Sequence, residues 1–393
     1  MNAGARRLLP LAVAGAIAVL AFDPERWIRG WIFAAAQAVA VAAVALLVIV
    51  DVVADDRAGS RSTPDRRLAP PIALLAAWVA WSAAGPGAAS TAAWYAVIAV
   101  GLLRVWHHDR RPGSGIAVAT VLAGALVGHL GVAAAVASIT TIDPVLSGRL
   151  TLVSLEANEL ARVAAIGTVA ASHLVLRGRP GERVLGLTAG LAGASAVVLT
   201  GSRTGAVAVA IGVAIVLLLE APRWLIAAAL TIGAVVGAMA LTFDLASLPG
   251  TNALERSTDG LGSLNGRNNF WPRLLDATEH SRVSGIGLGN DRDFIQAEVP
   301  TGWNAQHAHN LALHLLVTTG VVGVALFASS VGASLVRAAA RPPGDPAATL
   351  ALALLAVVLV DGVTEAVVRT PSFGWAAVVA AAALSAPRAE PLP

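Results

Sequence analysis

The stretch His307-Ala308-His309-Asn310 concentrates groups able to move a proton, and it sits inside an otherwise apolar sequence. An imidazole with an ordinary pKa near 6.5 accepts a proton at neutral pH, so His309 is a candidate general base, and a hydroxyl is what it would deprotonate. The alternative is a structural histidine hydrogen-bonded at a helix entrance. The residues that follow, Leu311 to Gly323, read as a helix. On that helix a turn of about 100° per residue brings His309 and Gly320 within about 20° of one face. Gly323 lies close by, and two glycines let a neighbouring helix approach. His314 falls about 140° round the same helix. No carboxylate or further histidine has recognisable ligand spacing, so no metal is expected.

Two arginines form the second candidate group. Arg203 lies in the tight link Gly201-Ser202-Arg203-Thr204-Gly205, and Arg267 follows Asn265-Gly266. Each guanidinium is a planar, permanently charged fork that matches two phosphate oxygens, so a pair suits a diphosphate. In glycosyl transfer from a lipid diphosphate, negative charge builds on the departing phosphate, and fixed cations in a partly dehydrated site lower that barrier without a metal. Against this stand a snorkelling arginine at lipid headgroups for Arg203 and a solvated loop arginine for Arg267. Asn158, Glu159 and Arg162 make a polar helix entrance, with Arg162 as a third candidate contact to the diphosphate. Asp361, Glu365 and Arg369 recur every four residues, which on a continuing helix shares one face. That ladder is either structural or braces an arginine and binds sugar hydroxyls, with Glu365 the candidate for the latter. His129 and His173 stand singly in apolar runs and read as packing residues.

The elements that must carry these groups are set by composition. Of 393 residues, 56% are hydrophobic and only 13% charged, which belongs to a polytopic membrane protein. The expected fold is all-α, a polytopic membrane protein with about twelve spans of roughly 20 apolar residues each. They fall near 8–22, 28–50, 69–85, 88–106, 116–139, 158–176, 184–200, 206–220, 224–243, 310–336, 347–365 and 373–387. The chain has no lysine. Most of its arginines, including Arg57, Arg66, Arg67, Arg110, Arg111, Arg177 and Arg179, fall in alternate short loops, which places both termini in the cytoplasm. The basic balance follows from that topology, so no nucleic-acid partner is expected. Without cysteine, disulfides and thiolate chemistry are excluded.

The organisation expected is one integral domain: spans one to nine over 1–243, a large extracytoplasmic loop over 244–309, and spans ten to twelve over 310–393. The loop is too varied for a linker. Asn265 to Asp276 reads as a turn feeding a short amphipathic helix with Pro272 in its first turn. Gly285-Ile286-Gly287-Leu288-Gly289 lacks the strand and helix of a dinucleotide fingerprint.

At these residues the chain resembles the O-antigen ligase and O-antigen polymerase superfamily of integral-membrane glycosyltransferases. The pattern is His309-Asn310, nine residues, then Gly320-Val321-Val322-Gly323, with Ser202-Arg203-Thr204-Gly205 and Asn265-Gly266-Arg267 followed by Trp271 ahead of it. The motifs span roughly 150–335. The resemblance implies cofactor-free, metal-independent transfer of a glycan from undecaprenyl diphosphate to an acceptor hydroxyl at the outer face of the plasma membrane. Arg203 and Arg267 would hold the diphosphate, His309 would activate the acceptor, Asn310 would orient the site, and Asn265 and Trp271 would line it. Ligase, polysaccharide polymerase and protein O-oligosaccharyltransferase share this chemistry. A lipid-linked glycan flippase is the alternative from another class.

Overall fold

A computed structural model of the protein describes residues 3–21, 30–57, 69–83, 88–108, 114–140, 145–146, 149–150, 157–222, 267–298, 307–369 and 372–386. These residues are almost wholly helical. The helices are α1 (Ala3–Leu20), α2 (Gly30–Arg57), α3 (Ala69–Ser82), α4 (Ala88–His107), α5 (Ile116–Thr140), α6 (Ala157–Arg177), α7 (Pro180–Thr200) and α8 (Arg203–Glu220), followed by α9 (Arg267–Ala277), α10 (Asp291–Glu298), α11 (Leu311–Ala339), α12 (Pro346–Gly362) and α13 (Phe373–Ser385). One antiparallel pair, Val145–Leu146 with Arg149–Leu150, is the only strand structure among the described residues. Eleven of the expected spans coincide with helices. The ninth, 224–243, and the first part of the long loop lie outside the described residues.

Among the described residues five helices are long and apolar enough to cross a membrane: Ile116–Ala135, Ala157–Arg177, Pro180–Thr200, Arg203–Glu220 and Leu311–Ala339. Shorter apolar helices accompany them, α12 and α13 among these. The exposed side chains explain why this suits a multi-pass membrane protein. Leu191 is 72% exposed, Val198 70% and Leu218 63%, so α7 and α8 present greasy faces outward, as lipid permits and water does not. The core is equally apolar. Every residue of α13 is buried. Around its start Trp78, Tyr95 and Trp375 pack with ring centroids 5.2–5.7 Å apart. Two of the polar tips are satisfied: Trp375 Nε1 donates to the Tyr95 carbonyl (2.9 Å), and the Tyr95 hydroxyl to the Val368 carbonyl (2.5 Å). The second bond anchors the segment that follows α12.

The two lone histidines are packing residues, as expected. His129 Nδ1 meets the Ala18 carbonyl at 3.0 Å. His173 lies between Glu220 (Nδ1 to Oε1, 2.8 Å) and the Ser114 carbonyl (Nε2, 2.7 Å), with Arg177 on the second oxygen of Glu220 (3.1 Å). This cluster ties α5, α6 and α8 together at the end of α6 remote from Asn158.

Helix α11 departs from the regular helix expected. It breaks at Gly320, whose φ of 67° and ψ of −176° belong to a region open only to glycine. A break frees carbonyls, and in an apolar bundle each must find a donor. Ile286 N–H donates to Val317 O and Gly287 N–H to Thr318 O, both at 2.9 Å, while Trp81 Nε1 takes Thr319 O at 2.9 Å. The Val321 N–H in turn donates to Arg282 O at 2.7 Å. The glycine is therefore there for the 282–287 segment to pair with the broken helix, not for helix-on-helix packing. A Cβ on Gly320 would sit 2.2 Å from the Val283 carbonyl oxygen. Helix α9 also differs, starting five residues before Pro272 and holding the proline inside it.

Gly320→Ala is expected to destabilise the fold by at least about 2 kcal/mol, from backbone strain and overlap together. The measurement is thermal unfolding in lipid nanodiscs, with hydrogen exchange showing faster exchange at Ile286 and Gly287.

Candidate functional site

The site forms where three helices begin and one ends. Helix α6 brings Asn158, Glu159 and Arg162, α8 brings Arg203 and Thr204, and α11 starts behind Asn310. The end of α12 brings Asp361, Thr364 and Glu365. The α6–α8 approach is close enough that a Cβ on Gly205 would lie 2.6 Å from Ala161 Cβ. Thr364 Oγ1 donates to Thr204 Oγ1 at 3.0 Å, joining α8 to the α12 exit.

His309 is not part of α11. Asn310 is the N-cap, its side-chain oxygen accepting the Leu313 N–H at 2.9 Å while its amide donates to Val363 O at 3.0 Å. His309 precedes the cap with φ 49°, the only non-glycine residue with positive φ among those described. The helical-face alignment of His309 with Gly320 therefore does not occur. A left-handed residue costs about 1–2 kcal/mol, and the surroundings hold it. Trp271 Nε1 donates to the Ala308 carbonyl at 2.8 Å, and the His309 N–H donates to His307 Nδ1 at 3.2 Å.

Glu365 is the centre of this arrangement. Its Oε1 accepts from Asn158 Nδ2 at 2.9 Å, and its Oε2 lies 3.3 Å from His309 Nδ1 and 3.7 Å from His307 Nε2. The Glu365 and His307 side chains are 1% exposed and that of His309 is 18% exposed, so of the three His309 alone reaches outward. The expected ladder does not run along one helix face, because α12 ends at Gly362. Its members diverge. Asp361 faces Arg162 (3.7 Å), Glu365 faces the histidines, and Arg369 bridges Glu159 and Asp291 at 3.6 Å each. Arg162 is buried between Asp361 and Glu159 (3.8 Å). Its guanidinium is thus committed to acids, which argues against the third diphosphate contact.

The nitrogens of His307 and His309 and an oxygen of Glu365 lie within 4.8 Å of one another, the one such grouping of metal-ligand atoms among the described residues. Sequence spacing could not reveal it, since Glu365 is 56 residues beyond His309. Hydrogen-bond accounting does not favour a metal there. His307 Nδ1 accepts a backbone N–H, so the neutral ring carries its proton on Nε2 and has no lone pair there to ligate.

Residues 187–328 match the family model described as O-antigen ligase. The similarity runs from α7 into α11 and includes Arg203, Arg267, His309, Asn310, Gly320 and Gly323. No curated protein matches the chain. Within the matched region Arg203 is the exposed first residue of α8, behind the N-cap Ser202, whose hydroxyl accepts the Gly205 N–H at 3.3 Å. Arg267 opens α9, and Asn265 falls outside the described residues. Beside Asn310 an apolar groove of about 380 Å³ is lined by Trp271, Leu275, Leu313, Leu316 and Val324. Asp291 and His314, 4.0 Å apart, belong to the same buried network, yet carried no sequence signal. Asp291 sits in a short loop helix, and His314 was set aside by its angle.

Asp361→Ala should cost about 3–5 kcal/mol, because Arg162 loses one of its two acids inside the bundle. Thermal unfolding of Asp361→Ala against the double variant Arg162→Leu/Asp361→Leu checks this; the double variant should recover much of the loss.

Proposed function

We propose that the protein is a metal-independent inverting glycosyltransferase that moves a glycan from undecaprenyl diphosphate to an acceptor hydroxyl at the outer face of the plasma membrane. The observation that carries this reading is His309, the partly exposed imidazole of a buried carboxylate–histidine cluster, inside the matched domain and in line with its Asn310 cap. The acceptor hydroxyl gives its proton to the imidazole as its oxygen bonds to the anomeric carbon. The bond from that carbon to the diphosphate breaks, and its electron pair leaves on the phosphate oxygen. Attack from the face opposite the leaving group inverts the configuration.

The leaving group needs fixed positive charge that requires no reorganisation. Arg203, opening α8, is suited to hold it, because the unsatisfied N–H groups of a helix N-terminus add to the guanidinium charge, and Arg267 of α9 is its partner by the resemblance. The apolar groove beside Asn310 suits the first isoprene units of the carrier. Trp271, the candidate to line the substrate, borders that groove and also holds Ala308 beside the base. A lipid-linked glycan flippase is the second reading, because the break of α11 at Gly320 and the buried charges around Arg162 are features that a translocation path also uses.

Purified protein in nanodiscs, supplied with an undecaprenyl-diphosphate glycan, should transfer it at a rate unaffected by EDTA. His309→Ala should lower kcat by about 10²–10⁴. Arg203→Ala and Arg267→Ala should each lower it by about 10²–10³. Offering glycolipid, polysaccharide and protein hydroxyls in parallel identifies the acceptor class. Unchanged transfer by His309→Ala, or glycan movement across the bilayer without bond formation, would overturn the reading.

A further inference from the structure

Glu365 has a more specific task than contact with sugar. We infer that Glu365, held by Asn158 and His307, is the positioning carboxylate that fixes the tautomer of His309 and leaves Nε2 as its proton-accepting atom. This rests on His309 being the acceptor-activating base.

The inference follows from counting donors and acceptors. A neutral imidazole has one N–H and one lone pair. The His309 backbone N–H donates to His307 Nδ1, so the His307 proton sits on Nε2, which faces Glu365 Oε2 at 3.7 Å. Asn158 Nδ2 can only donate, and it occupies Oε1 at 2.9 Å. An ionised carboxylate is acceptor-only, so it accepts from Asn158 on one oxygen and faces both rings with the other. His309 Nδ1, 3.3 Å from Oε2, must therefore carry the His309 proton. Nε2 is left with the lone pair.

The alternative arrangement, a protonated Glu365 donating to His309 Nδ1, would put the His309 proton on Nε2 and remove the base. The His307 N–H directed at the same oxygen opposes it. His307 thus acts twice, through its Nδ1 on the His309 backbone and through its Nε2 on the charge state of Glu365. When Nε2 takes the acceptor proton, the ring becomes an imidazolium, and the carboxylate at Nδ1 balances the new charge. This is the role an orienting carboxylate plays behind a catalytic histidine in unrelated hydrolases.

Replacing the carboxylate by an amide tests the idea because it changes donors without changing shape. In Glu365→Gln the side-chain oxygen still accepts from Asn158, and the new NH₂ faces His309 Nδ1. That nitrogen must now accept, which moves the ring proton to Nε2. Steady-state transfer in nanodiscs should show kcat reduced at least about 100-fold, towards the roughly 10⁴-fold seen when an orienting carboxylate is amidated. The donor KM should stay within about threefold. Glu365→Asp keeps an acceptor-only group and should restore at least about tenfold over Glu365→Gln.

Wild-type kcat in Glu365→Gln would overturn the inference. So would a raised donor KM with kcat retained, which makes Glu365 a substrate contact. Equal losses in Gln and Asp variants accompanied by lowered thermal unfolding temperatures would overturn it too, since the residue would then be structural. His309→Ala, run alongside, separates the two levels. If it keeps full activity, the base assignment itself fails; if it is inactive while Glu365→Gln is not, only the positioning role fails.

Discussion

A carboxylate inside an apolar helical bundle needs donors, and Glu365 finds them in two distant parts of the chain. Asn158 comes from the start of α6, and His307 and His309 from the segment before α11. Glu365 itself follows the end of α12, where Tyr95 of α4 anchors the backbone through Val368. The positions of these elements are therefore coupled through one buried side chain. The left-handed backbone at His309 is tolerable only because that coupling and the Trp271–Ala308 bond hold both sides of it.

The second constraint is the backbone. Breaking α11 at Gly320 frees carbonyls that lipid cannot solvate, and the loop around Gly285 and Gly287 supplies the donors. Those two glycines have φ of 69° and 92°, which lets successive N–H groups turn towards Val317 and Thr318. The same loop continues into α10, which carries Asp291 to Arg369. This segment and the bundle are thus joined by a backbone pairing on one side and an ion pair on the other.

What was legible in the sequence was local or periodic. The apolar runs announced the helices because a span must be long and greasy, and His309-Asn310 stood out because a proton acceptor and a helix cap adjoin there. Arg203 was legible from its turn. The partners were not, because they come from distant segments and one-dimensional spacing does not bring Glu365 to His309 or Asp291 to Arg369. The helical-face argument failed at one residue. Asn310 caps α11, so His309 lies outside the helix and its angle to Gly320 has no meaning. The four-residue ladder failed in the same way, because α12 ends at Gly362 and the later members are aimed by turns and tertiary bonds.

Charge divides the labour within the site. The buried layer holds four acids, Glu159, Asp291, Asp361 and Glu365, against the two guanidiniums of Arg162 and Arg369. An acid-rich layer repels a diphosphate, so the anion has to sit outside it, where Arg203 is exposed at the start of α8. A proton-accepting histidine gains from the opposite arrangement, since the imidazolium it becomes is stabilised by nearby carboxylates. His309 stands at the boundary, with one ring nitrogen facing Glu365 and its side chain 18% exposed. Under the proposed function the two charge demands are opposite in sign: the base has a carboxylate at its buried side, and the cation available to the leaving group is Arg203, exposed at the start of α8.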